Sequence, residues 1–175
     1  MTSFFDITST LPWPNAIGKR TAVGPLVGAA ESEAISELAK TTPLILVITA
    51  TTAAAHNLAS ELPFFLSDDR EILLVPDWET LPYDNFSPHE DIVSDRLKAL
   101  SRLPTLKSGV VIVSVTTLMH RLAPRHFIDA GVLSLKTGET LDAEQFVRNL
   151  TRNGYRSVDT VYEHGEFATR GSLLD

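Results

Sequence analysis

The stretch "VPDWETLPYDNFSPHEDIVSDRLKAL", residues 75–100, gathers Asp77, Glu79, Asp84, His89, Glu90 and Asp91, a set of oxygen and nitrogen donors of the kind Mg²⁺ or Mn²⁺ takes. Their spacing matches neither an EF-hand loop nor a His-Glu-x-x-His helix, and Pro76, Pro82 and Pro88 hold the run extended. A structural use accounts for more of these residues. Ser87 or Asp91 caps the helix that follows, the early acids suit its N-terminal dipole, and Trp78, Leu81, Tyr83 and Phe86 cover a sheet edge. Asp77, Glu79 and Asp84 are therefore expected to hold no metal. A nucleotide- or metal-dependent enzyme domain built on the acidic loop 77–91 is the alternative reading.

Other chemistries leave weaker traces. "GPLVGAAES" (24–32) lies before a helix, where a phosphate loop belongs, but it has no Lys for the β/γ oxygens, and Glu31 places negative charge where phosphate would sit. A glycine turn into a helix is the expectation. Ser114 and the histidines (His56, His89, His120, His126, His164) share no nucleophile-elbow context, and the chain has no Cys, which excludes disulfides and thiolate metal sites.

"GYRSVDTVYEHGEFATRGSLLD" (154–175) offers a different kind of site. Tyr155, Arg156, Tyr162, Phe167 and Arg170 alternate with polar residues along expected strands, so one face of a small sheet would carry aromatic rings and guanidinium groups, types enriched where proteins bind one another. An ordinary solvated sheet face is the competing reading.

These residues need a scaffold, and the hydrophobic pattern supplies one. Leu26, Ala30, Ala34, Ile35 and Leu38 predict a helix from about 29 to 40. "PLILVITA" (43–50) reads as a strand covered on both faces. Ala54, Leu58 and Leu62 mark a second helix, with Thr51 or Thr52 as N-cap and Pro63 near its end. "REILLVPD" (70–77) predicts a second strand. Ile92, Leu97, Leu100 and Leu103 form the stripe of a third helix, and Val110 to Val115 a third strand that runs into a short helix. Apolar strands alternating with amphipathic helices argue for an α/β fold, a mainly parallel sheet with helices on both faces.

Pro124 and Gly131 bracket a boundary, after which the pattern changes. "VLSLKTGETL" (132–141) alternates and turns at Thr137 and Gly138. "DAEQFVRNLTRNGY" is a helix capped by Asp142 and ended by Gly154, and the remainder reads as two strands around a Gly165 turn. Because "RGSLLD" stops within an apparent strand, the second domain is expected to be cut short and the chain to be a fragment.

Apolar residues make up 43% of the 175 and charged residues 21%, which suits a folded globular chain rather than a disordered one. No run approaches the length of a membrane span, and "MTSFFDITSTLPWP" lacks the basic and apolar regions of a leader, so a cytoplasmic protein with no membrane partner is expected. Residues 1–125 carry ten basic against fourteen acidic residues, and 126–175 five against eight, so neither half attracts a phosphate backbone.

Three long phrases also carry a resemblance. "DWETLPYDNFSPHEDIVSDRL", "GVVIVSVTTLMHRLAP" and "GYRSVDTVYEHGEFATRGSLLD" closely resemble the N-terminal part of the bacterial transcription-repair coupling factors, with likeness from about residue 20 to 175. That part is similar in fold to the damage-binding helicase UvrB. The resemblance implies a degenerate RecA-like (P-loop NTPase-like) domain at 1–128 that lacks the Walker A loop, followed by the start of a smaller α+β UvrA-binding domain at 129–175. It implies a non-enzymatic adaptor that helps recruit UvrA to stalled RNA polymerase in transcription-coupled nucleotide excision repair. No cofactor belongs to this segment; ATP and Mg²⁺, DNA and RNA polymerase would engage downstream domains of an ATP-dependent DNA translocase. A third reading is an intramolecular brake, in which the UvrA-binding face packs against another part of the full-length protein until DNA and polymerase engage it. The stretch 77–91 would stand where UvrB carries its aromatic hairpin. Arg170, in "EFATRG", corresponds to a UvrA-contacting arginine, and Tyr155 and Arg156 lie in a matching phrase.

Overall fold

The computed structural model describes residues 11, 13, 16–66, 70–81, 83–132 and 135–175. The stretch 1–10 examined for a leader, Pro82 of the acidic loop and positions 133–134 of the alternating run lie outside the described residues. The chain divides into two compact units, 1–77 with 102–120 and 78–101 with 121–175.

The first unit is an α/β layer. Helix α1 (Ala30–Thr41) leads to strand β1 (Leu44–Thr49), helix α2 (Thr52–Phe65) and strand β2 (Ile72–Val75); after the second unit's intervening segment come strand β3 (Gly109–Ser114) and helix α4 (Val115–Met119). The three strands are parallel in the order β1-β3-β2, with Val47 opposite Ile112 and Leu74 opposite the same residue from the other side. Helix α2 forms because Thr51, extended in backbone, accepts the Ala54 N–H on its hydroxyl at 3.1 Å and so satisfies one orphan donor. Its inward stripe is Ala55, Leu58 and Leu62, packed on Val110 and Ile112; Ala54, expected in that stripe, is exposed. The spacing 55, 58, 62 follows the 3.6-residue turn better than two equal steps of four, which drift around the helix. Small side chains on α1 (Ser32, Ser36 and Ala39, all buried) allow it to pack against α2, and the Ser32 hydroxyl donates to Glu61 at 2.9 Å.

One expectation fails at the sheet edge. β1 is covered on one face only: Ile45 and Val47 turn toward the helices, while Leu44, Leu46 and Ile48 on the other face are 43, 57 and 55% exposed. β3, the central strand, is buried at all six positions and is the strand that fits the two-faced reading. A continuous apolar run thus marks β1 and β3 equally, and only sheet order separates them.

Gly109 is where β3 enters between its neighbours. Its N–H donates to Pro43 O at 2.8 Å, its φ is +149°, and a Cβ there would meet Glu71 O at 2.5 Å. Gly109→Ala is expected to destabilise the unit by about 1–3 kcal/mol, the usual cost of forcing an extra group against backbone. An unchanged urea midpoint in the variant would refute this.

Glu71 also takes a bidentate pair from Arg102, with Nε 2.8 Å from Oε1 and Nη2 2.6 Å from Oε2. The hydrogen bond from Arg102 holds the Glu71 carboxyl below its ordinary pKa, against an opposing push from burial, with the Arg102 charge adding a lesser pull in the same direction as the bond. A lowered carboxyl pKa gives stability that is present above the unfolded value and lost as pH falls through the folded one. Glu71→Gln should therefore melt below wild type at neutral pH, and the gap should close on acidification below about pH 4. A gap that stays constant with pH would rule the pair out as its cause.

The second unit is built from helix α3 (Glu90–Arg102, all but its last residue), helix α5 (Arg125–Gly131), helix α6 (Ala143–Arg152) and four two-residue strands: β4 (Arg156–Ser157), β5 (Glu166–Phe167), β6 (Thr169–Arg170) and β7 (Leu173–Leu174). The turn expected at Thr137 and Gly138 is present. The inward face of α3 differs from the stripe Ile92, Leu97, Leu100, Leu103. Arg96 and Ala99 are its buried residues, with Ile92, Val93 and Leu100 half-buried, whereas Leu97 and Leu103 are exposed. Five residues at 100° each carry Leu97 about 140° away from Ile92, so it could not share that face. Arg96 is 1% exposed and its guanidinium lies 4.2 Å from the centre of the Trp78 ring.

Candidate docking surface

The two-strand expectation around Gly165 is replaced by a more folded arrangement. Asp142 accepts the Gln145 N–H at 2.9 Å and starts α6; Gly154, at φ +90°, ends it, and the Tyr155 N–H closes back on Leu150 O at 3.0 Å. That turn delivers Arg156 to β4, which pairs in parallel with β5 through Arg156 N–H to Gly165 O (2.8 Å) and Val158 N–H to Phe167 O (2.9 Å). Parallel pairing needs a crossover, and residues 158–165 supply it as a loop. β6 and β7 then form a hairpin around Gly171, at φ +63°.

Phe167 does not share a face with the candidate arginines. It is 3% exposed, and the next residue, Ala168, is 2% exposed, so two consecutive side chains are buried. Phe167 and Arg170 are three positions apart, so a period of two already puts them on opposite faces, and alternation breaks further where β5 passes into β6. Arg156 and Arg170 remain exposed, and Tyr155 is 41% exposed.

Both arginines hold the 158–165 loop, one near each end. Arg170 Nη2 donates to Asp159 O at 2.7 Å and to Thr160 Oγ1 at 3.1 Å. Arg156 Nη2 reaches Glu166 Oε1 at 3.2 Å and Glu163 Oε2 at 3.5 Å. Glu166 is the hub: its Oε2 accepts the Tyr162 N–H at 3.0 Å and the Glu163 N–H at 3.2 Å. The Tyr162 N–H, then that of Glu163 and the Arg156 charge, holds the Glu166 carboxyl below its ordinary pKa against the opposing effect of burial. Composition gives no hint of Glu166, and only its position beside the loop ends makes it important.

The acidic stretch resolves into separate local duties. In the first unit, Asp77 Oδ2 accepts from Thr117 Oγ1 at 2.7 Å and Thr116 Oγ1 at 3.1 Å, and Ser114 caps α4 by accepting the Thr117 N–H, which accounts for Ser114 without any nucleophilic role. In the second unit, Asp84 accepts the Leu81 N–H at 2.7 Å and closes a turn, so the loop is not simply extended. His89, rather than Ser87 or Asp91, stands at the start of α3, its Nδ1 accepting the Asp91 N–H at 3.3 Å. Asp91 in turn lies 3.2 Å from His89 Nδ1 and 3.3 Å from His164 Nε2, beside a cleft of about 750 Å³ between residues 88–91 and 161–164. Among the described residues no group of three or more His, Asp or Glu is placed to hold a metal. Leu81, Tyr83 and Phe86 are exposed instead of covering a sheet edge, because the turn directs them outward; Trp78 alone is half-buried.

The phosphate-loop position is equally plain. Described residues 16–29 contain no strand to feed such a loop, and Ala29 enters α1 with no side-chain cap. Among the described residues no helix is long and apolar enough to cross a membrane.

Residues 133–175 match the family described as the UvrB interaction domain. The chain is 43% identical over 164 residues to the transcription-repair-coupling factor of Escherichia coli, covering 93% of this chain and 14% of that protein. Its counterpart in Haemophilus influenzae is 42% identical over 154 residues, covering 87% of this chain and 13% of that protein, and that of Mycobacterium tuberculosis 40% over 149, covering 80% and 12%. The chain thus spans about one-seventh of the length of these relatives. With identity running through both units and a UvrB-type interaction domain at residues 133–175, the chain belongs to the transcription-repair-coupling factor family, as its N-terminal, UvrB-like region.

Proposed function

We propose that this chain is a non-catalytic adaptor that recruits UvrA during transcription-coupled repair in the cytoplasm, with residues 129–175 carrying the docking surface and residues 1–128 forming a degenerate RecA-like domain. The observation that carries the reading is the match of 133–175 to a UvrB interaction domain, coinciding with the segment in which Arg156, Arg170 and Tyr155 stand exposed on a braced fold. The parallel β1-β3-β2 sheet and the turn into α1, without Lys, support a helicase-like layer with no phosphate grip. ATP, Mg²⁺, DNA and RNA polymerase are assigned to other parts of the longer protein.

Calorimetric titration of UvrA into the full-length protein tests this reading. Saturable binding is expected, and it should disappear when residues 129–175 are removed. Binding that survives the deletion would overturn the assignment. A second titration, of ATP into the 175-residue chain, should give no heat of binding; micromolar affinity would revive the nucleotide-dependent alternative.

A further inference from the structure

We propose that Tyr162 is a contact residue of the docking face and that Glu166 is the positioning residue that presents it. The inference rests on the reading that this unit docks UvrA, and it gives Tyr162, one of the aromatic residues of that stretch, a specific role and a residue that positions it. Tyr162 is 86% exposed, in the loop between β4 and β5. An aromatic side chain on a loose loop would lose much of its binding energy to ordering. This loop is already ordered: Arg170 holds Asp159 and Thr160, Glu166 holds the amides of Tyr162 itself and Glu163, and His164 meets Asp91.

The Glu166 side chain is 10% exposed, and its bonds to the loop amides are strengthened by its charge. The same carboxylate takes Arg156, which ties the placement of the ring to that of a candidate docking arginine. Tyrosine and arginine are the types over-represented among the few residues that dominate interface energy, and a rigid tyrosine contributes apolar area with few torsions to freeze. The complementary partner surface is an apolar slot for the ring, rimmed by carboxylates that meet Arg156 and Arg170.

The test uses the full-length protein, with UvrA affinity measured by interferometry at low and high salt for Tyr162→Ala, Tyr162→Phe, Glu166→Ala, Glu166→Gln and Arg170→Glu. Tyr162→Ala should weaken binding by at least about tenfold, as a hot-spot truncation does, and by the same factor at both salt concentrations, because the ring contributes no charge. Tyr162→Phe should bind like wild type. Glu166→Ala should weaken binding and speed hydrogen exchange at the Tyr162 and Glu163 amides, and it should add little when combined with Tyr162→Ala. Glu166→Gln, which keeps an acceptor oxygen, should retain most amide protection. Near-wild-type affinity of Tyr162→Ala, with Arg170→Glu impaired, would overturn the inference and leave the docking reading standing. The same holds if Glu166→Ala fails and Tyr162→Ala does not, since Glu166 would then act through Arg156 alone. Failure of the wild-type protein to bind UvrA, both alone and engaged with DNA and RNA polymerase so that an intramolecular brake is released, would remove the docking reading and this inference with it.

Discussion

Replacing Arg96 with Ala is expected to destabilise the second unit by about 3–5 kcal/mol, the range seen when a large buried side chain is truncated and a cavity remains. The side chain is 1% exposed and its guanidinium lies over the Trp78 ring at 4.2 Å from the centre, so its methylenes fill core volume while its charge faces the negative surface of the indole. Arg96→Met separates the two contributions, since it keeps length and apolar volume and removes the cation. It should cost less, about 2 kcal/mol for a desolvated cation–π contact. Chemical denaturation followed by fluorescence reads both variants. Equal stability of Arg96→Met and wild type would mean that packing alone accounts for the residue. Equal stability of Arg96→Ala would mean that the site collapses at no cost, which the close packing of Ala99 on the same helix face argues against.

Arg96 also shows what a hydrophobic pattern conceals. A helix stripe is sought among apolar residues, and a charged residue at its centre reads as a solvated position. The surrounding sequence gives the helix, but one partner of its buried charge, Trp78, stands eighteen positions earlier across a loop with a turn closed by Asp84. The same limit acts at Phe167 and Ala168, where two consecutive buried residues interrupt a strand, and at β1, whose open face depends on its place at the sheet edge. Local rules were sufficient where one residue decides the outcome. Thr51 and Asp142 each cap a helix by accepting a single amide, and Gly154 ends one by adopting positive φ. The α/β order was legible because continuous β-branched runs and amphipathic stretches differ in period. The exposure of Arg156 and Arg170 was legible. The loop they brace was not, because the Glu166 bonds join a side chain to backbone amides three and four residues earlier, and no periodicity records that contact.

Charge reversal at Arg170 is expected to produce the largest loss of docking. Only Nη2 of its guanidinium makes hydrogen bonds among the described residues, to Asp159 O and Thr160 Oγ1, which fixes the group while leaving its other nitrogens available. A guanidinium held in this way is ready to give a bidentate pair to a carboxylate on a partner. Arg170→Glu would remove those bonds, place a carboxylate against another, and turn an acceptor toward the Asp159 carbonyl. For a pair desolvated at an interface the loss is on the order of 2–5 kcal/mol, and for a salt bridge at the rim it is below about 1 kcal/mol. Arg170→Lys distinguishes loss of charge from loss of the fork, since Lys keeps the charge and cannot form the planar pair. UvrA affinity of both variants in the full-length protein, at two salt concentrations and after circular dichroism has shown that each is folded, checks the prediction. Arg170→Glu should bind at least about thirtyfold more weakly, with Arg170→Lys between it and wild type. Wild-type affinity in a folded Arg170→Glu protein would remove Arg170 from the docking surface, and a loss confined to low salt would place it at the rim.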